Sequence, residues 1–388
     1  MARLIDITGK ALAGEWGSDD ETGNGVPILR TTNFTNEGVV DYNNVVTRTI
    51  TKKKIEEKYL RKGDIIIEKS GGSDKQPVGR VIYFDGPDNT YLSNNFTGLL
   101  RVQNQEIWYP RYVFYSLFSN YRRGGTRPYE NKTTGLHNLK TDDYVSRYEV
   151  AETDISTQIQ ICDQIDRMYG IIKMRQQELQ KLDELIKARF VEMFENGQFP
   201  IHTVENLCSE VVDCPHTTPK YEGELKNPAI RTSEIKKGYL TWDSMKYVSD
   251  DEYEERVVRL RPEQGDIVYG REGTFGNAAI LPAGYKFCLG QRVMLLRPDY
   301  SLCTSEYMLH AVISDSVYRQ ALEKNNASTV AHVNVKDVKQ FRIPLPPIEL
   351  QNQFADFVKQ VDKSKVEVQK ALDEAQLLFD SLMQEYFG

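Results

Sequence analysis

The most regular pattern lies at the end of the chain. Phe354, Val361, Val368, Ala375 and Leu382 recur every seven residues, with Val358, Lys365, Leu372, Phe379 and Tyr386 interleaved. Apolar positions three and four apart, sustained over more than four heptads, predict one long helix with a narrow seam. A looser version runs through Ile155, Ile159, Cys162, Ile165, Tyr169, Ile172, Leu179, Leu182, Ile186, Phe190 and Met193. A helix of about 40 residues is ~60 Å long and exposes its stripe unless something covers it. Two in one chain are expected to cover each other, antiparallel. Elsewhere the period changes. Short apolar runs of strand length, "GDIIIEKS", "GRVIYF", "GDIVYG" and "QRVMLLR", are broken by Gly, Asn, Asp and Pro. Helical patches accompany them at "PRYVFYSLFSNY" and "SEYMLHAVISDSVYRQAL", so each mixed region reads as an α+β (mixed α/β) globule.

The chain is also written twice. "PILRTTNFTNEGVV" at Pro27 recurs as "PAIRTSEIKKGYL" at Pro228, "KGDIIIEKSGG" as "QGDIVYGREGT", and "LLR" at Leu99 as "LLR" at Leu295. "GLHNLKTDDY" returns as "VAHVNVKDVK", and from Ile155 and Ile348 onward "ISTQIQICDQI" aligns without a gap on "IELQNQFADFV". An ordered repeat of this length means two copies of one structural unit. Four segments are expected: globules at 1–150 and 196–346, helical regions at 151–195 and 347–388. Two similar globular domains joined by two long antiparallel coiled-coil helices make a pseudo-twofold internal repeat. Pro344, Pro346 and Pro347 stand where the second globule ends and its helix begins; proline fixes its own φ and is tolerated in a first helical turn. The first copy has no such prolines, and Thr153 or Asp154 is expected to cap that helix instead.

Composition adds limits. At 388 residues, 40% hydrophobic and 27% charged, the chain holds two ordinary domains plus something extended. The opening "MARLIDITGKALAGEW" lacks a signal-peptide core and no apolar run reaches bilayer length, so a soluble, cytoplasmic protein is expected, with no membrane partner. The five cysteines are an odd set with no C-x-x-C pair, which argues against a disulfide framework or structural zinc site, and Cys208, Cys214 and His216 lack a fourth zinc partner of fitting spacing. The net charge of −7 argues at first against nucleic acid. Its distribution changes that. The segment 151–195 has 6 basic and 9 acidic residues and 347–388 has 4 and 8, so the helical regions carry −3 and −4, the whole of the −7.

Enzymatic readings lack their groups. There is no phosphate loop, nucleophile elbow or H-E-x-x-H pair, and "GREGTFGN" follows a short strand without leading into a helix. A binding function outranks catalysis, and no cofactor site is expected in this chain. The donor-rich loops before each helix are the candidates: Arg122, Arg127, Lys132, Asn138 and Lys140 in the first copy, and Lys324, Asn325, Asn326, Asn334 and Lys336 in the second. Such side chains suit phosphate contacts and bidentate base readout in a major groove. Earlier polar loops add Lys69, Lys75, Arg80 and Arg271, and the turn "CPHTTPKY" adds His216. The plain alternative for each loop is a solvated, glycine-rich connection.

At this point the chain resembles the specificity subunit of type I restriction-modification enzymes. "IPLPPIELQNQF" is similar to the family's proline-rich start of the second conserved helix, including Gln351, and "GLHNLK" and "AHVNVK" to the segments closing each target-recognition domain. Leu350 departs from the acidic residue usual there. The resemblance implies a non-catalytic subunit that reads a bipartite sequence in double-stranded DNA, one half-site per recognition domain, with the paired helices as a ruler. It implies two docked adenine-N6 methyltransferase subunits carrying S-adenosylmethionine, and a restriction and translocation subunit using ATP. Rival readings are a DNA-reading module of another defence or modification system, or a coiled-coil scaffold with two ligand-binding globules.

Overall fold

In the computed structural model, each heptad stretch is a single helix, Ile155–Phe190 and Ile348–Phe387. The structure describes residues 1–52, 55–133, 136–222, 226–273, 276–324 and 332–388, with backbone alone at 132–133. The chain divides into two compact units, Met1–Gln176 with Lys370–Gly388, and Gln177–Gln369. Each long helix contributes to both.

In the first unit a four-stranded antiparallel sheet runs in the order Leu12–Ala13, Thr97–Leu100, Ile65–Glu68, Val81–Tyr83. In the second the order is Cys208–Asp213, Val293–Pro298, Ile267–Gly270, Ala278–Ile280, and the two central strands are those that the sequence repeat pairs. The unbroken apolar run of each central strand follows from burial on both faces. Ile65 and Ile67 enter one core with Val113, Leu117 and Tyr144, whereas Ile66 faces a second with Leu29, Phe34 and Phe84. Ile267 and Tyr269 divide from Val268 in the same way.

The repeat extends to buried polar pairs. Asp64 and Asp266, 2% and 1% exposed, each accept a backbone N–H three residues upstream and the fork of an arginine, Arg101 just past the neighbouring strand at 2.6 and 2.7 Å and Arg297 within it at 2.8 and 2.9 Å. Their repetition explains "GD" in both copies, because a buried carboxylate without such partners would be strongly destabilising.

Within the second unit, Phe190 and Phe194 pack on Phe354, Arg189 lies over Phe357 and Asp183 meets Lys365. Numbers fall along one helix as they rise along the other, which is the expected antiparallel pairing. In the first unit Tyr386 donates to Gln164 at 2.9 Å, and Ile161, Cys162 and Ile165 share a core with Phe379, Met383 and Phe387. The seam drifts from the strict heptad. Met383 and Phe387 are the buried residues rather than Leu382 and Tyr386, as a straight helix of 3.6 residues per turn requires. In the other helix a π turn at Val191–Glu195 adds a residue and buries Phe194 in place of Met193.

A glutamine locks each helix start. Gln158 Oε1 accepts from Tyr109 N at 2.8 Å, and its Nε2 donates to Ile107 O and Thr153 O, both at 2.9 Å. Gln351 repeats the scheme with Thr304 N at 2.9 Å, Leu302 O at 3.0 Å and Pro346 O at 2.9 Å. Both are 0% exposed. Asp154 caps the first helix through Thr157 N at 3.0 Å, with Ser156 and Thr157 hydroxyls also donating, and these bonds hold its carboxyl well below the usual range.

Candidate nucleic-acid interface

In the second unit, four sequence-distant segments meet around an open cleft of ≈ 800 Å³: the end of Cys208–Asp213 with the following turn, residues 271–272, residues 291–292, and 332–337. Backbone bonds hold them together, Arg271 N to Arg292 O at 3.0 Å and Val333 N to Arg271 O at 3.0 Å. Asp213 gathers the floor. It accepts from Arg271 Nη2 at 2.8 Å and from Cys214 N at 2.9 Å, with His216 Nε2 3.4 Å away. Arg271 is only 6% exposed, and its Nε has no partner among the described residues. Glu272 lies between Arg292 Nε at 2.9 Å and His332 Nδ1 at 3.3 Å. His332 Nε2 faces Asn334 Oδ1 at 3.2 Å, and Lys336 stands exposed on the rim. Positive and negative groups alternate, which suits hydrogen-bond reading of base edges better than a uniformly basic phosphate track.

The first unit builds the corresponding face from a three-stranded sheet, Glu130–Thr133, Leu136–Leu139, Ser70–Gly72. The same two backbone bonds recur, Lys69 N to Phe96 O at 2.8 Å and Leu139 N to Lys69 O at 2.9 Å. They place Lys69 where Arg271 stands and Phe96 where Arg292 stands. Asn138 lies opposite Ser70 in the ladder, and His137, 5% exposed, is 3.0 Å from Glu130 and 3.6 Å from Asp74, the neighbour of exposed Lys75. Lys140 N donates to Tyr129 O at 2.9 Å, which sets exposed Lys140 beside the short turn Arg127–Tyr129 and exposed Arg127.

Residues 217–375 match the family described as the type I restriction modification DNA specificity domain. The likeness to type I restriction specificity domains thus covers about two fifths of the chain. The MjaX type I restriction enzyme, of Methanocaldococcus jannaschii, has a protein named as its specificity subunit that is 24% identical over 189 residues, 46% of this chain and 43% of that one. The EcoBI specificity subunit of Escherichia coli is 26% identical over 192 residues, 48% of this chain and 39% of its own length. The matched stretch thus spans about two fifths of these curated relatives. Fold similarity extends further. A chain from a structure describing assembly and conformational transition of a type I restriction-modification system covers 100% of this chain and 96% of its own, with TM-score 0.59 and 15% identity. The S subunit from M. genitalium covers 100% and 95%, with TM-score 0.55 and 13% identity.

In the second unit the structure brings Arg271, Asn334 and Lys336, inside the matched stretch, and His216, just before it, into one cleft. Lys324 is exposed at the end of the helix Asp315–Lys324, lining a neighbouring cleft with Asp337. Asn325 and Asn326 lie outside the described residues, as does the side chain of Lys132. In the first unit Lys69, Lys75 and Asn138 gather along the three-stranded sheet. Three of the candidate arginines are engaged within the fold, Arg271 with Asp213 and two more in the first unit. Arg80 donates to Glu68 at 2.9 and 3.1 Å, to Thr31 O at 3.1 Å and to Phe34 O at 3.2 Å. Arg122 pairs with Asp380 at 2.9 Å between the rings of Phe118 and Phe379. No group of metal-ligating residues forms among the described residues, and burial pushes the Cys208 thiol up to about 12, away from the thiolate that zinc needs. Among the described residues no helix is long and apolar enough to cross a membrane. Sequence reasoning missed Gln291, Arg292 and Phe96; the signal was the offset that aligns "NNFTGLL" with "GQRVMLL".

Proposed function

We propose that the chain is the non-catalytic specificity subunit of a type I restriction-modification system, reading a bipartite sequence in double-stranded DNA. The recognition domains are 1–150 and 196–346, each taking one half-site, and the helical regions 151–195 and 347–388 fix the unread spacer. The observation that carries this reading is the cleft of the second unit, where residues 271–272, 291–292 and 332–337 of the matched stretch meet the turn that carries His216.

Chemistry divides the surface. His216 and Asn334 in the second unit, and Lys69 and Asn138 in the first, sit in turns, at strand ends and in closing segments and serve base edges, while buried Arg271 positions the cleft floor through Asp213. Lys75, Arg127, Lys140, Lys324 and Lys336 serve phosphates, where an exposed ammonium or guanidinium acts as a positioning charge, and Lys132, Asn325 and Asn326 are assigned to DNA contact from the sequence alone. Arg80 and Arg122 act as positioning residues, the first holding the loop at Thr31 and Phe34, the second joining its globule to the long helix. The acidic helical regions serve two adenine-N6 methyltransferase subunits, which carry S-adenosylmethionine, and a restriction subunit uses ATP. The complex belongs in a prokaryotic cytoplasm. Methylome sequencing of the native host with and without this gene tests the reading. Loss of one bipartite adenine-methylated motif is the expected result, and an unchanged methylome would reject it.

A further inference from the structure

The second unit's cleft holds one side chain whose environment suits a particular base. Arg292 is 61% exposed in its side chain, stands on the rim, and has a φ of 69°, a left-handed conformation uncommon for a residue other than glycine. Its Nε is braced at 2.9 Å by Glu272, which His332 flanks at 3.3 Å. The brace engages the guanidinium at Nε. No hydrogen bond from the two terminal nitrogens is found among the described residues, and the side chain is largely exposed at the cleft. The buried Arg271 of the same cleft is committed to Asp213 and leaves the exposed reading to Arg292. A planar fork fixed from behind by a carboxylate is pre-organised to give two parallel bonds to O6 and N7 of guanine.

In the first unit the same position is filled differently. The shared bonds Lys69 N to Phe96 O and Arg271 N to Arg292 O identify Phe96 as the counterpart of Arg292, and Ser70 stands where Glu272 does. Phe96 is 50% exposed and offers no hydrogen-bonding atom. An exposed ring at a groove-facing position suits the 5-methyl group of thymine.

We propose that position 96/292 of the repeat is specificity-determining, Arg292 reading a guanine in one half-site and Phe96 a thymine in the other. This rests on the DNA-reading function above. The test binds the purified full chain to a pool of random-sequence duplexes and sequences the retained fraction, for wild type, R292A, R292K and F96A. The wild type is expected to enrich a bipartite motif. R292A should lower the preference for one guanine about fivefold or more and leave the other half intact, with R292K keeping overall binding but not that preference. F96A should relax a thymine in the opposite half. An unchanged motif in R292A, a relaxed base other than guanine, or changes in both halves would overturn the assignment. A wild type that enriches no motif would instead overturn the DNA-reading function on which it stands.

Discussion

Replacing Gln351 with leucine should detach the second long helix from its globule without emptying the core. The side chain is fully buried, and its three bonds tie Thr304 N, Leu302 O and Pro346 O across the proline corner. Leucine fills a similar volume and satisfies none of them. Each buried backbone group left without a partner costs ~1–3 kcal/mol. Water will reach some of the three, so a loss of ~3–5 kcal/mol is expected for Gln351→Leu, and a similar loss in the first unit for Gln158→Leu. With a urea slope of roughly 2 kcal/mol per molar, the midpoint of the affected transition should fall by ~1.5–2.5 M. Urea titration followed by hydrogen exchange locates the damage, because the Thr304 amide loses protection in one variant and the Tyr109 amide in the other. The anchors lie in separate units, so the double variant should be additive. A shift below about 0.3 M for either variant, or exchange spread evenly over the chain, would refute the claim that these glutamines hold the corners.

Acid should weaken the second unit. His310, against the rings of Phe190 and Phe354, has its pKa lowered from 6.5 to about 4, chiefly by burial and secondarily by Lys365. The unfolded chain therefore binds the proton first, so stability is lost as pH falls from about 6.5 toward 4, and His310→Leu should flatten that loss in urea titrations at pH 7 and 5. Deleting one heptad from a long helix should change the spacer or abolish methylation while leaving half-site identity intact, read by motif sequencing; altered bases with an unaltered spacer would contradict the ruler. Lys75→Ala and Lys336→Ala should weaken binding to all duplexes alike and lower the salt slope by roughly one unit each.

The scaffold was legible because its signals are local. Heptad spacing, the Ile65–Glu68 run and the proline corner each depend on neighbours within a few residues, and the repeat doubled every signal. The site was less so, since the partners that decide it are distant in sequence. Arg80 and Arg122 carry the same charge as Lys75 and Lys140, yet Glu68 and Asp380 capture them, and Asp380 lies 258 residues from Arg122. Arg292 was hidden for another reason. "QRVMLLR" reads as a strand throughout, but the strand begins at Val293 and the arginine belongs to the turn before it.

The two copies also separate what the fold needs from what reading needs. Asp64 with Arg101, Gln158, and the backbone bonds of Lys69 recur as Asp266 with Arg297, Gln351, and the bonds of Arg271, whereas the rim pair changes from Ser70 and Phe96 to Glu272 and Arg292. If the brace matters as much as the fork, transplanting the arginine alone should fail. Phe96→Arg in the first unit adds a mobile cation with only the Ser70 hydroxyl behind it, and is expected to raise affinity for all duplexes while creating no base preference. Adding Ser70→Glu restores a carboxylate to the position that Glu272 occupies, and the double variant should then favour guanine in place of thymine at one position of the first half-site, about fivefold or more. Selection from random duplexes measures both. Guanine preference in Phe96→Arg alone would show that the brace is dispensable, and its absence from the double variant would show that the backbone turn at Arg292 is needed as well.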